Sequence, residues 1–371
     1  MTYGINIFMQ EPDFMDDRRS SVSGTVGAIG GGRHSCIFHD VISVENIFGA
    51  WKEFCKGKRS KEDVVVFELS LEDNIFRLHE ELSLGTWKPD PYIVFQVQDP
   101  KLRTIHKASV RDRVLYQAIY RSLYQVFDKS FIHDVYSSRD VKGTHAGVER
   151  LDKFVRKVSK NFTQPTYVLK CDIRKFFDSI DHSVLLHLIH NRIEDEKLFK
   201  LIGQIIDSFH HTTGKGLPLG NVTSQLFANV YMNEFDQFMK HTIKSEYYIR
   251  YCDDFVVVNE SREFLETVIP RIIIFLRERL QLELHPRKME IRKIEQGIDF
   301  LGYVTLPYYK VLRTSTKNRM LNKIEIAKHQ LVLKQISWES FNQIVQSYVG
   351  VVSHCRNVSV IQKILYILLN K

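Results

Sequence analysis

Two adjacent carboxylates stand where an apolar run should not tolerate them. Asp253 and Asp254 interrupt a stretch from Tyr247 to Val258 that otherwise reads as a buried β-hairpin, with Tyr251-Cys252 before them and Phe255-Val256-Val257-Val258 after. Carboxylates almost never enter such a run uncompensated. The simplest compensating cation is a divalent metal ion. A second apolar strand, over 166–173, ends in another acid, Asp172. If the two strands lie side by side, three carboxylates converge. Hard oxygen donors of this kind suit Mg2+, which keeps water and substrate phosphate in its other positions. Two such ions about 4 Å apart can clamp an in-line phosphoryl displacement. One lowers the pKa of an attacking hydroxyl and the other binds a triphosphate, while the protein supplies position and charge.

The rest of the chain must hold those acids. Its 371 residues, 44% hydrophobic and 26% charged, suit a soluble globular protein of two or three subdomains. A net charge of +8 suits a polyanionic partner. Cys36, Cys55, Cys171, Cys252 and Cys355 lie far apart with no CxxC, the pattern of free thiols in a reducing compartment. No apolar run reaches the roughly 18 residues of a membrane span, and no signal pattern opens the chain. A cytoplasmic location and no membrane partner are expected.

Residues 1–40 read as a partly flexible N-terminal extension. Its Gly- and Ser-rich stretch at 20–35 lacks the Gly-Lys-Ser/Thr ending of a phosphate-cradling loop, so a mobile loop is the simpler reading. Amphipathic helices are expected over 43–59 and 68–83. A strand over 92–98, a turn at Asp99-Pro100 and a return from Arg103 to His106 form a hairpin with Lys101, Arg103 and Lys107 near its tip. Such bases suit a triphosphate or a template backbone, and equally a charged edge that discourages sheet aggregation. Ser109 is placed to cap a helix to about Phe127, with Asp112 at the capping-box position. Further helices are expected over 145–159, 182–192, 223–240 and 261–280. His182, His187, His190, His210 and His211 lack the companions of a zinc site and read as surface residues. The loop Gly214–Val222 lets backbone approach a base pair or phosphate closely; the alternative is capping of the next helix by Thr223 or Ser224. A short strand and turn over 282–288 and a strand or hairpin from Ile298 follow. From Arg313 the chain is helical and basic.

The order of these motifs resembles the reverse transcriptases, the palm-and-fingers family of RNA-templated DNA polymerases. The resemblance covers about 70–310. It is carried by Arg111-Asp112-Arg113, Lys170-Cys-Asp172-Ile-Arg-Lys-Phe-Phe177, Gly216-Leu-Pro-Leu-Gly220-Asn-Val-Thr-Ser-Gln225, Tyr251-Cys-Asp-Asp254, Lys288 and Phe300-Leu-Gly-Tyr303. It implies an α+β fold of right-hand polymerase architecture, with fingers and palm over 41–310. A helical thumb over 311–371 would track the duplex backbone. Asp172, Asp253 and Asp254 match the family's catalytic, metal-binding carboxylates, and the Ile173 carbonyl would complete a shell for two Mg2+, with Mn2+ able to substitute. Lys288 resembles the lysine proposed to protonate leaving pyrophosphate. Phe177 falls where the family places a steric gate against a ribose 2′-hydroxyl, which implies dNTP substrates. Lys101 and Arg103 resemble triphosphate-holding residues, and Leu219, Gly220 and Gln225 fall in the motif beside the nascent base pair. Arg111 and the turn Leu301-Gly302-Tyr303 resemble primer and template contacts.

Two features narrow the resemblance. Most bacterial members of the group II intron type carry Gln-Gly and Ser-Pro where this chain has Leu219-Gly220 and Ser224-Gln225. That variant is similar to the enzymes of diversity-generating retroelements and of related groups linked to phage defence. No maturase-like extension, endonuclease or integrase follows residue 371, so self-sufficient intron mobility is not expected. The expected role is cDNA synthesis from a dedicated noncoding RNA in antiphage defence. The alternative is error-prone copying in a diversity-generating retroelement, with a small basic accessory protein. Enzymes of the defence type assemble with RNA or with copies of themselves, so a homo-oligomer is among the expected partners. An RNA-dependent RNA polymerase is disfavoured by Phe177 and Tyr251, and a non-catalytic RNA-binding scaffold by the presence of all three acids.

Overall fold

The structure, a computed structural model, describes residues 37–98, 101–356 and 358–369. The expected loop at 20–35, Cys36 and the Asp99-Pro100 turn lie outside the described residues. Helices α1 (Ile37–Ile42), α2 (Val44–Phe54), α3 (Glu62–Glu68) and α4 (Leu71–Ser83) precede strands β1 (Ile93–Gln98) and β2 (Leu102–Lys107). Helices α5 (Val110–Phe127) and α6 (Thr144–Val158) lead to β3 (Tyr167–Asp172). Next come α7 (Phe176–Ser179), α8 (His182–His190), α9 (Glu196–Asp207) and α10 (Val222–Gln237). The hairpin β4 (Tyr248–Tyr251) and β5 (Asp254–Asn259) is followed by α11 (Arg262–Leu280) and β6 (Glu290–Lys293). The last elements are β7 (Ile298–Phe300), β8 (Tyr303–Leu306), β9 (Tyr309–Leu312), α12 (Thr314–Val332), α13 (Trp338–Ser353) and α14 (Val358–Leu369). Helices and antiparallel strands mix as an α+β fold, as expected.

The chain forms two compact units. The first comprises the described residues up to His133 with Ile173–Thr242 and Ile274–Glu283. Its middle is α5, against which α2 and α10 pack. Ser109 caps α5 by accepting the Asp112 N–H at 3.2 Å, as its position predicts. The Asp112 carboxylate is used elsewhere. It is fully buried and accepts the Trp87 indole N–H at 3.3 Å and the Asp90 N–H at 2.7 Å, beside the Arg111 guanidinium. Burial pushes its pKa up, and the Asp90 N–H and Arg111 oppose that shift. Asp112→Ala would strand these donors in a dry site and cost about 2–4 kcal/mol. A urea midpoint lowered accordingly is the expected result; an unchanged midpoint would contradict it.

The second unit comprises Asp134–Asp172, Ile243–Ile273 and the described residues from Leu284 on. Its four-stranded antiparallel sheet has the order β4-β5-β3-β6. One face carries Val168, Ile249, Val256 and Val258, which pack with Leu151, Phe154, Val155 and Val158 of α6. The strands are rich in β-branched residues, which fit a pleated surface covered by a helix. A second sheet, β7-β8-β9, shares a core with α12–α14 through Tyr303, Leu312, Met320, Ile324, Phe341 and Val360.

Several boundaries differ from the sequence reading. The helix expected over 43–59 ends at Phe54, and Gly57 turns the chain at φ +65°. The helix expected over 68–83 begins at Leu71, and α3 precedes it. Helix α10 begins at Val222 behind Asn221, so Thr223 and Ser224 are buried in its first turn and do not cap it. Of the short strand and turn expected over 282–288 the turn is present, and strand β6 follows it where no strand was expected. Its residues Glu290, Arg292 and Lys293 hide it from an apolar pattern, because an edge strand paired only with β3 needs little apolar surface. The boundary drawn at 310 falls inside β9.

Candidate active site

The register of β3 and β5 puts Asp172 directly opposite Asp254 on the two central strands. Directly opposed residues lie close, and like charges there repel. Lys170 is on the same face as Asp172, opposite Val256. Strand β4 pairs Tyr251 with Asp254, which leaves Cys252 and Asp253 as a two-residue loop. Asp253 is therefore the turn residue, whereas Asp254 already belongs to the strand. Cys252 takes φ +56°, the left-handed value such a tight hairpin needs at its first loop position.

The electrostatics follow from that geometry. Burial, then the Asp254 and Asp172 carboxylates, push the Asp253 pKa up to about 7. Burial also raises that of Asp254, with Lys170 the largest influence opposing it. Lys288 is delivered by a local device: the His285 N–H donates to the Asp172 carbonyl at 2.8 Å, and the Lys288 N–H to the His285 carbonyl at 3.1 Å. This turn lays the Lys288 ammonium on the Asp172 Oδ2 at 2.6 Å. Burial raises the pKa of the Cys171 and Cys252 thiols, so both stay protonated and unreactive beside the acids. The described cysteines Cys55, Cys171, Cys252 and Cys355 are free, as expected.

The three acids are within electrostatic reach of one another, but they do not form a closed cage. Among the described residues no group of three or more His, Cys, Asp or Glu is gathered to hold a metal ion, and that includes the histidines at 182–211. Mg2+ does not require such a cage, because it takes one or two carboxylates and completes its shell with water and substrate phosphates. Asp172, paired with the Lys288 ammonium, and Asp253, which repel each other as carboxylates, fit that ion. The Ile173 carbonyl follows directly in the chain at a buried position.

The turn Leu301-Gly302 also belongs to the second unit. Both residues have positive φ, +51° and +86°, between the paired Phe300 and Tyr303, as a tight hairpin requires. The Leu301 side chain lies against Gly147 of α6, where an added Cβ would approach its Cδ1 at 3.1 Å. Tyr303 is buried and donates its hydroxyl to the Val351 carbonyl at 2.9 Å. The turn expected to contact primer is thus a tight hairpin whose Leu301 and Tyr303 side chains pack into this unit, which leaves the backbone at Gly302 as its open part.

The other expected residues belong to the first unit. Phe177 is half-buried, packs edge-on against Phe176, and accepts the Leu217 N–H at 2.8 Å. That bond ties it to the loop bearing half-buried Leu219 and exposed Gly220, which takes φ +110°. An added Cβ at Gly220 would sit 3.5 Å from Ile105 of β2, so the basic hairpin borders the same loop. Gln225 is exposed in the first turn of α10; Lys101 is exposed and Arg103 half-buried at the hairpin. Lys107 is engaged by Asp63 at 2.8 Å. Arg111 differs most from expectation. Its guanidinium faces Glu81 at 3.1 Å, Asp90 at 3.0 Å and Asp112 at 3.1 Å, and donates to the Lys88 carbonyl at 2.7 Å, so it braces the fold.

Two residues around the turn were not singled out from the sequence. Arg250, wholly buried, donates from Nη1 to the Cys252 carbonyl at 3.0 Å, and Ser137 accepts the Cys252 N–H at 2.9 Å. A cation inside Tyr248-Ile249-Arg250-Tyr251 is as anomalous as the acids beside it, and that signal could have found Arg250. Ser137 carries no such signal.

Comparison with known proteins bears on this arrangement. A family model described as reverse transcriptase (RNA-dependent DNA polymerase) matches residues 90–305, more than half of the chain. Protein YkfC of Escherichia coli is 23% identical over 266 residues, 61% of this chain and 69% of that protein. The group II intron-encoded protein LtrA of Lactococcus lactis is 23% identical over 303 residues, 62% of this chain and 49% of that protein. The chain thus spans about half the length of that relative. A solved structure of telomerase from Candida albicans is similar with a TM-score of 0.45 and 11% identity, over 76% of this chain and 59% of that one. Among the described residues no helix is long and apolar enough to cross a membrane.

Proposed function

The chain belongs to the reverse transcriptase family, and from that premise we propose that it copies RNA into DNA by adding dNTPs to a primer 3′-hydroxyl at Asp172, Asp253 and Asp254. The observation that carries this reading is the facing of Asp172 and Asp254 across the two central strands, with Asp253 in the adjoining turn. Asp172 and Asp253 are the residues to hold Mg2+, with the carbonyl of Ile173, next in the chain after Asp172, as a further donor; Mn2+ could take the same donors. Bound there, such ions supply Lewis acidity and charge neutralisation to phosphoryl transfer. Lys288 holds a proton beside Asp172 and is the group to give it to departing pyrophosphate. Asp254 already belongs to the strand and Asp253 to the turn, so Asp254 is the less direct ligand of the two. Phe177 is the residue to exclude a 2′-hydroxyl, and Lys101 and Arg103 are the bases to hold triphosphate. Fingers and palm then correspond to 41–310 and the thumb to 311–371, with Gly302 and the basic α12 toward primer and template.

In the cell, the reading favoured here is synthesis of cDNA from a dedicated noncoding RNA during antiphage defence, in the cytoplasm. The basic charge of +8 supports dependence on a bound RNA, and Leu219-Gly220 with Ser224-Gln225 sets the chain apart from the usual intron pattern. Leu219 also favours a second reading, error-prone copying of a template repeat with a basic accessory protein. An apolar side chain cannot make the polar contact a glutamine offers to a nascent pair. Leu219→Gln is expected to lower misincorporation opposite template adenine up to about tenfold, the size of one net hydrogen bond of about 1 kcal/mol. Single-nucleotide incorporation measures it, and unchanged errors would remove Leu219 as the cause. Sequencing the cDNA made in cells separates the two roles: a short repeated product supports defence, and adenine-mutated repeat copies support diversification. No DNA product with the acids intact would sink both.

A further inference from the structure

We propose that Ser137 is a positioning residue for Asp253, acting together with the buried guanidinium of Arg250. The inference rests on the reading of Asp253 as a catalytic carboxylate and concerns how its turn is aimed. Cys252 adopts φ +56°, where glycine is the favoured residue of a tight hairpin. A side chain there persists only when the surroundings over-determine the backbone. Here both peptide groups of Cys252 are held from outside the turn. Its N–H donates to the Ser137 hydroxyl at 2.9 Å, and its carbonyl accepts from Arg250 at 3.0 Å.

The clamp is itself anchored. Ser137 is 5% exposed and Arg250 is fully buried. The segment before Ser137 runs along β4: Arg250 donates its N–H to the Asp134 carbonyl at 3.0 Å, and Tyr136 donates its N–H to the Arg250 carbonyl at 2.9 Å. Val135 and Arg250 form a short parallel bridge. The Asp134 carboxylate accepts from Arg150 of α6 at 2.8 and 3.3 Å. The same helix packs under the sheet that carries the acids. A connected path thus runs from α6 through Asp134 and β4 to the peptide groups next to Asp253. Asp253 has no strand pairing of its own, so its direction depends on the residue before it.

Ser137→Ala and Ser137→Thr in the full chain test this. A shift of about an ångström at a reacting group can cost a hundredfold in rate, so Ser137→Ala is expected to lower kcat for primer extension about 10- to 100-fold with the KM for dNTP within about twofold. Mn2+ affinity without nucleotide, read by electron paramagnetic resonance, is expected to weaken several-fold in the same variant. Ser137→Thr, which keeps the hydroxyl, is expected to restore both. Wild-type kcat and Mn2+ affinity in Ser137→Ala would overturn the proposal. So would a loss that follows a lowered melting temperature and is not restored by threonine. A wild-type chain that makes no DNA would instead fail the underlying reading, and the proposal with it.

Discussion

Asp253→Asn is expected to lower DNA synthesis at least about a thousandfold, because several kcal/mol of transition-state stabilisation depend on that ligand. The same change is expected to stabilise the ion-free protein. Burial and the neighbouring carboxylates hold the Asp253 pKa near 7, against an ordinary 3.8. Below the ordinary value both folded and unfolded chains carry the proton, and the acid costs nothing. Between the two values the folded chain keeps a proton that the unfolded chain has lost, so stability falls as pH rises. Above about 7 the full penalty applies. Asparagine stays neutral throughout. Its gain should therefore be largest near pH 8 and vanish near pH 4, with a rise on the order of several degrees in Tm at the alkaline end. Thermal melts with chelator at both pH values measure it. Surviving activity would refute the catalytic role, and a melting curve unchanged at pH 8 would refute the repulsion among the acids.

Phe177→Ala is the second large effect. Phe177 sits on the single turn α7 behind Lys175, which has φ +45°, and its ring is set edge-on to Phe176 at 5.3 Å. Its carbonyl holds the loop of Leu219 and Gly220. The ring is half-exposed, so its removal leaves the core intact while opening space for a hydroxyl. The expected result is about a hundredfold gain in ribonucleotide use relative to dNTP, because a steric clash is lost and no binding contact is removed. Single-turnover incorporation of paired dNTP and NTP measures the ratio. An unchanged ratio would show that another group excludes the 2′-hydroxyl.

The acids were legible because charge in an apolar run is a contradiction visible in one dimension. Periodicity gave α5, β3 and the β4–β5 hairpin to within a residue or two, since each buries a face through its whole length. Position in a motif was a poorer guide to what a long side chain touches. Arg111 meets Glu81 and Asp90, and Tyr303 meets Val351, at sequence distances no local pattern encodes. Strand β6 was missed because an edge strand need not be apolar. Ser137 was missed because a serine in a loop looks like any other, and only the fold lays its hydroxyl on the Cys252 N–H.

RNA-templated primer extension tests the central claim most directly. The full chain, Mg2+, a DNA primer annealed to an RNA template and labelled dNTPs are expected to yield a DNase-sensitive product ending at the template's end, absent with Asp172→Asn. A product made only from NTPs, or one that persists in Asp172→Asn, would contradict the account.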